Sequence, residues 1–179
     1  RILTAEEEQD RLLRMNSPAE EKNVIDPETG IYNEEYFRAR LTEEVHRVCG
    51  TDSVVAIILV EFDGLASLAS FYGESSVRDF NIDAANFLKS SVRALDIVCR
   101  NGTNGFGVIM QGTGERVTQA QTRLQKKFEK WLVSRVAPNS PLKVSYGHAY
   151  APDHGRSVAD LMKRAILQMS ELTGEANAA

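Results

Sequence analysis

The stretch Arg100–Met110, RNGTNGFGVIM, decides the fold that the sequence predicts. Two Gly and two Asn form a polar turn that contains no carboxylate, and apolar runs lie on both sides of it. Gly and Asn are the residues that tight turns between paired strands prefer. The stretch therefore predicts a β-hairpin, and the segments around it determine what kind of sheet the hairpin joins.

The neighbouring segments predict an α/β (α+β) domain. Before the hairpin we predict a helix from an Asn33 cap to about Val48, a buried strand Ser53–Phe62, a short helix closing at Gly73 and a helix from about Ser76 to Val92. After the hairpin we predict an amphipathic helix 114–136, a strand 142–151 and a helix from Ser157 that Gly174 stops. This order is typical of a palm-like or ferredoxin-like domain. We expect a central mixed, mostly antiparallel sheet of about five strands surrounded by helices.

Composition excludes several classes of protein. The chain has 179 residues, with 42% hydrophobic residues and a net charge of -4, which argues against a general nucleic-acid binder. No stretch is apolar enough to span a membrane. Cys49 and Cys99 show neither a disulfide framework nor a metal-ligand spacing, and we expect Cys99 to be a buried free thiol. A reducing, cytoplasmic location is therefore expected.

The first 25 residues differ in character from the rest. They are charged and helix-forming, and Ser17–Glu20, SPAE, fits a capping box. We predict an N-terminal helical linker or appendage at residues 1–25 and one domain at residues 26–179. The linker could couple to an upstream domain of a longer protein, or it could be a solvated terminal helix.

Four segments in register resemble the GGDEF domain of the diguanylate cyclase family, over residues 26–177. DPETGIYNEEYF (26–37) resembles the family's lead-in motif, and LVEFDGLASLASFYGESSVRDF (59–80) resembles its strand-to-helix segment. RNGTNGFGVIM lies where the R-x-G-G-D-E-F signature belongs, and DLMKRAILQMSELTGEAN (160–177) resembles the last helix. The resemblance implies a nucleotidyl-cyclase-like palm. Active members condense two GTP molecules, one per domain of a dimer, into cyclic di-GMP.

The signature has lost the groups that this chemistry needs. It consists here of Gly102, Thr103, Asn104, Gly105 and Phe106. Carboxylates must hold divalent metal on the triphosphate, but Asn104 and Gly105 replace both of them. Thr103 replaces the second glycine and would crowd the nucleotide. On the preceding strand Glu61 remains as a vestigial metal candidate, with Asp63 after it.

Other positions of the family's substrate site also differ. By the resemblance, Ala69 and Arg78 replace the residues that recognise guanine, Ala66 replaces a lysine, and Thr173 and Asn177 replace phosphate-holding cations. We therefore predict that the chain is not an enzyme, with no catalytic residue, no metal and no cofactor.

One site of the family is retained. Many GGDEF domains bind cyclic di-GMP at an inhibitory R-x-x-D motif before the signature, and RALD places Arg93 and Asp96 there. A guanidinium can donate two hydrogen bonds to guanine O6 and N7 or pair with phosphate, and a carboxylate can accept from guanine N1 and N2. A basic residue on the next helix completes the site, either Arg123 or, second, Lys127.

The alternative for Arg93 is structural. A cation at a helix C-terminus complements the helix dipole, and an exposed ion pair with Asp96 would contribute only ~0–1 kcal/mol. We also expect Lys126 and Lys127 to lie on a solvated helix face, and Tyr72 and Phe106 to be core residues.

The sequence thus favours an inactive GGDEF domain that acts as a cyclic di-GMP receptor or effector. It would signal by rearranging a homodimer or its contact with a partner domain or protein, since a ligand shifts only states that it binds differently. Two alternatives remain: a residual diguanylate cyclase or GTP-binding enzyme that uses Glu61, and a dimerisation or protein-interaction module that needs no nucleotide.

Overall fold

Five helices and four strands make up the part of the chain that the computed structural model describes, namely residues 24–136, 140 and 142–176, with side chains as far as Met169. In chain order they are α1 (Glu34–Val48), β1 (Val55–Asp63), α2 (Leu65–Tyr72), α3 (Glu74–Ser91), β2 (Ile97–Arg100), β3 (Gly105–Gln111), α4 (Val117–Val133), β4 (Lys143–Ala151) and α5 (Val158–Ala176). This is the predicted α+β order.

The strands form one sheet in the order β2-β3-β1-β4. All three ladders are antiparallel, and β1 lies in the middle, where Val60 pairs with Phe106 on one side and Tyr146 on the other. The lead-in segment adds an isolated parallel bridge between Tyr32 and Cys99 instead of a full strand. The described sheet therefore has four strands, close to the predicted number of about five.

The apolar run of β1 is buried on both faces, as its sequence predicts. On one face α1 and α5 contribute residues such as Phe37 and Leu161, and on the other α3 and α4 contribute Phe80 and Phe128. Each such side chain contributes roughly 1.5–3 kcal/mol on full burial. Two apolar layers therefore hold the helices against the sheet.

Two predicted helix starts are confirmed. The Asn33 side chain accepts a hydrogen bond from the Tyr36 amide at 2.8 Å, and Ser157 Oγ accepts one from the Asp160 amide at 3.1 Å. The predicted stop at Gly174 is wrong, since α5 continues to Ala176. A glycine inside a helix costs only about 1 kcal/mol relative to Ala, which does not end a helix by itself.

The core predictions have mixed outcomes. Phe106 is fully buried and Cys99 is a buried free thiol, as expected. Tyr72, expected in the core, is 60% exposed because it ends a short helix of which only Leu68 is buried.

The predicted appendage lies outside the described residues as far as residue 23, and so does its capping box. Within the described residues, no helix combines the length and the apolar composition that crossing a bilayer requires.

Candidate functional site

Arg93 and Asp96 form a tight turn between α3 and β2. The Arg93 amide donates a hydrogen bond to Asp96 Oδ2 at 2.9 Å, and the Asp96 amide donates one to the Arg93 carbonyl at 3.0 Å. The carboxylate is thus fixed by the turn that it closes, as Asp side chains commonly do in turns. The two residues between Arg93 and Asp96 complete this turn.

A cavity of about 280 Å³ lies beside this turn. Arg93, Asp96, Arg123 and Lys127 all line it, so the structure brings together every residue that the sequence singled out for this site. Arg123 and Lys127 lie four residues apart on α4, which puts them on one face of the helix. Both candidates for the third contact therefore reach the cavity, although the exposed position expected for Lys127 is also correct.

Three cations and one carboxylate give the cavity a positive character. Among the ion pairs of the described residues, none involves Arg93, Arg123 or Lys127. An ion pair between the Arg93 and Asp96 side chains is therefore not formed, and the three cationic groups are available to an anion. The other structural role considered for Arg93 still fits, because it follows the C-terminal end of α3, where a cation complements the helix dipole.

Partial burial changes the chemistry of Asp96. Burial raises the pKa of its carboxyl above the ordinary value, while the hydrogen bond from the Arg93 amide and the charge of Arg93 act in the opposite direction. A raised pKa means that desolvation outweighs both favourable contacts. A ligand that donates hydrogen bonds to this carboxylate would compensate for that desolvation.

Ser90 and Ser91 also line the cavity, and sequence reasoning missed them. They are the last two residues of α3, and they lie three and two residues before Arg93, respectively. Their position immediately before the motif was the available signal, because a helix end next to a ligand site presents its last side chains to that site.

The hairpin carries an amide where the family has a metal-binding acid. Asn104 Nδ2 donates to Glu61 Oε1 at 3.2 Å and to the Phe62 carbonyl at 3.1 Å. Both partners are acceptors, which fixes the orientation of the amide. The N–H side of Asn104 therefore faces the only carboxylate that the sequence offered as a vestigial metal ligand.

This donor set does not fit the divalent metal that the family's chemistry requires. Mg²⁺ needs oxygen ligands, whereas Glu61 Oε1 accepts a hydrogen bond from the Asn104 amide N–H, which cannot be a ligand. Among the described residues there is also no cluster of three His, Cys, Asp or Glu side chains that could hold a metal ion.

The tip of the hairpin is packed too tightly for a side chain at Gly105. A Cβ atom there would lie 2.9 Å from the carbonyl oxygens of Asn101 and Val60, so the backbone would have to move. On the exposed side, the Gly102 amide donates to Glu34 Oε2 at 2.9 Å, and the Thr103 carbonyl accepts from Arg100 Nη2 at 2.7 Å. These contacts hold the shape of the hairpin.

A cavity of about 420 Å³, here called the vestigial cavity, lies between the hairpin and α2. The charged side chains that line it are Asp63 and Glu74, and no described lining residue is Lys or Arg.

Three of the predicted substitutions in the substrate site can be located. Ala66 and Ala69 line the vestigial cavity, whereas Arg78 is exposed beside the lining residue Val77. The Thr173 side chain and Asn177 lie outside the described part.

Comparisons with known proteins agree with this architecture. The response regulator PleD of Caulobacter vibrioides is 26% identical over 146 residues, which cover 79% of this chain and 32% of PleD, so the chain spans about a third of that relative. The solved GGDEF domain of DgcB from Caulobacter crescentus in complex with c-di-GMP superimposes with a TM-score of 0.73 at 16% identity, over 85% of this chain and 91% of that one. Diguanylate cyclase SiaD of Pseudomonas aeruginosa, solved with its activator SiaC, gives a TM-score of 0.75 at 19% identity, over 96% of this chain and 66% of the SiaD chain.

The family assignment rests on the sequence as well as on the fold. The model of the family described as "Diguanylate cyclase, GGDEF domain" matches residues 23–177, most of the chain. The structural neighbours share its fold at identities below 25%, which by themselves show the fold alone. Together with the hairpin and the helix order, the match shows that this chain belongs to the GGDEF domain family of diguanylate cyclases.

Proposed function

We propose that this chain is a GGDEF domain that has lost cyclase activity and acts as a receptor for cyclic di-GMP. The observation that carries the proposal is the cavity at the Arg93–Asp96 turn, which gathers three unpaired cations and one carboxylate in one place. The solved DgcB domain, which shares the fold, is in complex with c-di-GMP, and this supports the same ligand class here.

The chemistry of the cavity matches a dianion that carries two guanines. The Arg93 guanidinium can bind a guanine edge or a phosphate through two parallel hydrogen bonds, and Asp96 can accept from guanine N1 and N2. Arg123 and Lys127 supply charge for the phosphates. At about 280 Å³ the cavity is near the lower end of the ~300–1,000 Å³ range of ligand sites, so it would hold one guanine with its phosphate while the rest of the ligand extends from the opening.

The proposed loss of turnover rests on three separate features. The Asn104 amide faces Glu61, Gly105 has no room for a side chain, and the vestigial cavity is lined by Ala66 and Ala69 where the resemblance implies a lysine and a guanine-recognising residue. Removing one preorganised electrostatic partner commonly lowers a catalytic rate by ~10²–10³, and here several are absent together.

Signalling would follow from the place of the turn in the fold. The Arg93–Asp96 turn joins α3 to β2, and a ligand that binds it can stabilise one arrangement of a homodimer, or of a partner domain, over another. We propose that this takes place in the cytoplasm, in a reducing environment that suits the free thiols of Cys49 and Cys99.

The test is calorimetric titration of the protein with cyclic di-GMP. We expect binding by the wild type and a loss of about 10-fold or more in Arg93→Ala and in Arg123→Ala, because a charge-assisted hydrogen bond contributes about 1.5–3 kcal/mol. Lys126→Ala is the matched control, since Lys126 is exposed on the same helix but does not line the cavity. Absence of heat from the wild type, or an equal loss in the control, would refute the receptor.

A second assay addresses the enzyme alternative directly. The protein is incubated with GTP and Mg²⁺ or Mn²⁺, and nucleotide products are separated and quantified. We expect neither cyclic di-GMP nor GTP hydrolysis. Turnover that disappears in Glu61→Gln would instead establish a residual enzyme.

A further inference from the structure

Helix α2 exposes more apolar surface than a helix of its composition should. Its sequence, LASLASFY, contains no charged residue, yet only Leu68 is buried, while Phe71 is 77% and Tyr72 is 60% exposed. A helix without a charged face is normally covered by other parts of the protein. Two adjacent exposed aromatic rings therefore point to an interaction surface.

A cavity of about 400 Å³, here called the aromatic cavity, lies beside this helix. Its apolar lining includes Leu68, Phe80, Trp131 and Val136, with Tyr72 at one side. The Trp131 ring stacks on Phe87 with centroids 5.1 Å apart and also contacts Phe80 and Phe128, so its position is fixed by the core. Fixed aromatic faces of Trp and Tyr attract cations.

The carboxylates around α2 outnumber the available cations. Asp79 and Asp83 line the aromatic cavity, and Asp63 and Glu74 line the vestigial cavity, also beside α2. The guanidinium of Arg135 is the one cationic group in the two described linings, and it is already paired with Asp83 at 2.6 Å. Asp79 forms no ion pair within the described residues.

The pair formed by Arg135 shows how a guanidinium fits this cavity. Its central carbon lies 5.8 Å from the Trp131 ring centroid, while Nη1 binds the Asp83 carboxylate. Asp79, four residues before Asp83 and on the same face of α3, offers a second carboxylate at the same cavity. A cation from outside the chain could therefore make the same two kinds of contact.

We propose that α2 and the aromatic cavity form a docking surface for a segment of a partner protein that presents an Arg or Lys side chain between apolar residues. The cation would bind Asp79 and the aromatic rings, and the apolar flanks would cover Phe71 and Tyr72. A free small cation would leave those two side chains uncovered, which is why a protein segment is the better occupant. The proposal does not depend on cyclic di-GMP binding at the Arg93–Asp96 turn.

The only tryptophan of the chain lines this cavity, so its fluorescence reports on the site. The probe is a capped synthetic peptide with one Arg between leucines and with Gly-Ser ends, and the matched probe has citrulline in place of Arg. We expect the Arg peptide to change the Trp131 emission and to bind about 10-fold more tightly than the citrulline peptide, since citrulline is nearly isosteric but uncharged.

Three variants sharpen the test. Asp79→Asn and Phe71→Ser are expected to weaken binding of the Arg peptide about 10-fold each, and neither exposed side chain contributes to the core. Asp52→Asn removes one exposed carboxylate outside both cavities and should leave binding unchanged. Asp79→Asn should also leave the calorimetric titration with cyclic di-GMP unchanged, so the two proposals succeed or fail separately.

Several results would overturn the docking surface. An emission that does not respond to the Arg peptide would do so, and so would an equal loss in Asp52→Asn, which would indicate general attraction to an acidic protein. Arginine amide binding as tightly as the peptide would show that the cavity takes a small cation and that α2 has no part in it.

Discussion

At the scale of single residues, Asp96 has two roles that oppose each other. Its carboxylate closes the Arg93–Asp96 turn and also faces the cavity, where burial raises its pKa. The ionised form is needed to accept hydrogen bonds from a guanine. The affinity for cyclic di-GMP should therefore change with pH around a carboxyl pKa that lies above the ordinary value of 3.8.

We accordingly predict that affinity falls as the pH is lowered from about 7 to about 4.5, because protonation of Asp96 removes an acceptor at a higher pH than for an ordinary Asp. Asp96→Asn should bind more weakly at neutral pH and show a flatter profile. Calorimetry at several pH values measures both. A profile of equal slope in the Asn variant would mean that another group titrates.

Gly105 is the residue that most constrains the hairpin. A Cβ atom at this position would meet two backbone oxygens at 2.9 Å, and backbone cannot move away as a flexible side chain can. We predict that Gly105→Ala lowers the free energy of unfolding by about 1–3 kcal/mol, as overpacking commonly does. Urea denaturation measures the change.

Gly114→Ala is its control. The added Cβ would lie 3.4 Å from a Val54 methyl group, which is close to ordinary contact, so stability should change little. Equal losses in both variants would show that the close approach at Gly105 is not the cause. A large loss at Gly105 alone would also mean that Gly105→Glu cannot simply restore the missing acid.

The geometry of the candidate site was predictable from sequence where local spacing determined it. Arg93 and Asp96 lie in one turn, and Arg123 was found from its place on the following helix. Which face of α3 Arg78 occupies depended on packing, and it is exposed beside the lining residue Val77. The hydrogen bond from Asn104 to Glu61 joins residues 43 positions apart, which no local pattern can reveal.

At the scale of elements, a buried carboxylate fastens α1 to the sheet. The Glu44 side chain is 2% exposed, and its two oxygens bind Arg40 and Arg47 of the same helix, each at 2.6 Å. Gln111 at the end of β3 also donates to Glu44 Oε1, at 2.6 Å. The charge is therefore neutralised within the helix while Gln111 carries the contact to the sheet.

We predict that Glu44→Ala lowers the free energy of unfolding by about 1–3 kcal/mol, because the half-buried partners lose their acceptor. The neighbouring Glu43→Ala should cost at most ~1 kcal/mol, since that carboxylate is 63% exposed and pairs only with Arg40. Chemical denaturation of both variants gives the comparison. Similar losses at the two positions would show that burial of Glu44 is unimportant.

Elements with a strong local signal were the ones that the sequence predicted well. Asn33 caps α1, and the apolar run gives β1 within two residues of its predicted start. The contribution of Tyr32 was not predictable, because a single bridge to Cys99 depends on where α1 packs. The exposure of Tyr72 was missed for a similar reason, since periodicity cannot say whether a short apolar helix finds a cover.

At the scale of the whole molecule, α3 and α4 connect the two proposed binding surfaces. The cavity at the Arg93–Asp96 turn lies at the end of α3, and the aromatic cavity lies near its beginning. Eighteen residues of α3 span roughly 27 Å at 1.5 Å per residue. The aromatic contacts of Trp131 with Phe87 and Phe128 lie on the path between them, so ligand and partner would bind different ends of one packed layer.

The same layer is joined to β4 by a buried histidine. His148 is 7% exposed, with Nδ1 bonded to Gln121 Oε1 at 2.8 Å and Nε2 to Thr118 Oγ1 at 3.1 Å. Both partners belong to α4, which His148 thereby fixes against the sheet. Burial lowers the pKa of the imidazole, and the charges of His154 and Arg164 act in the same direction.

A lowered histidine pKa makes the stability of the whole domain depend on pH. Below the ordinary value of 6.5 the unfolded chain binds a proton that folded His148 resists, so the unfolded state binds more protons and stability rises with pH. The full contribution of neutral His148 to the free energy of unfolding is present above pH 6.5 and is lost as the pH falls toward the lowered pKa.

We predict a decrease in the urea midpoint between about pH 7.5 and about pH 5.5. His148→Gln should flatten this profile, with a remainder from His154, whose pKa burial also lowers. His46→Gln, at an exposed position of α1, should retain the wild-type slope, and a flattening there as large as in His148→Gln would contradict the assignment.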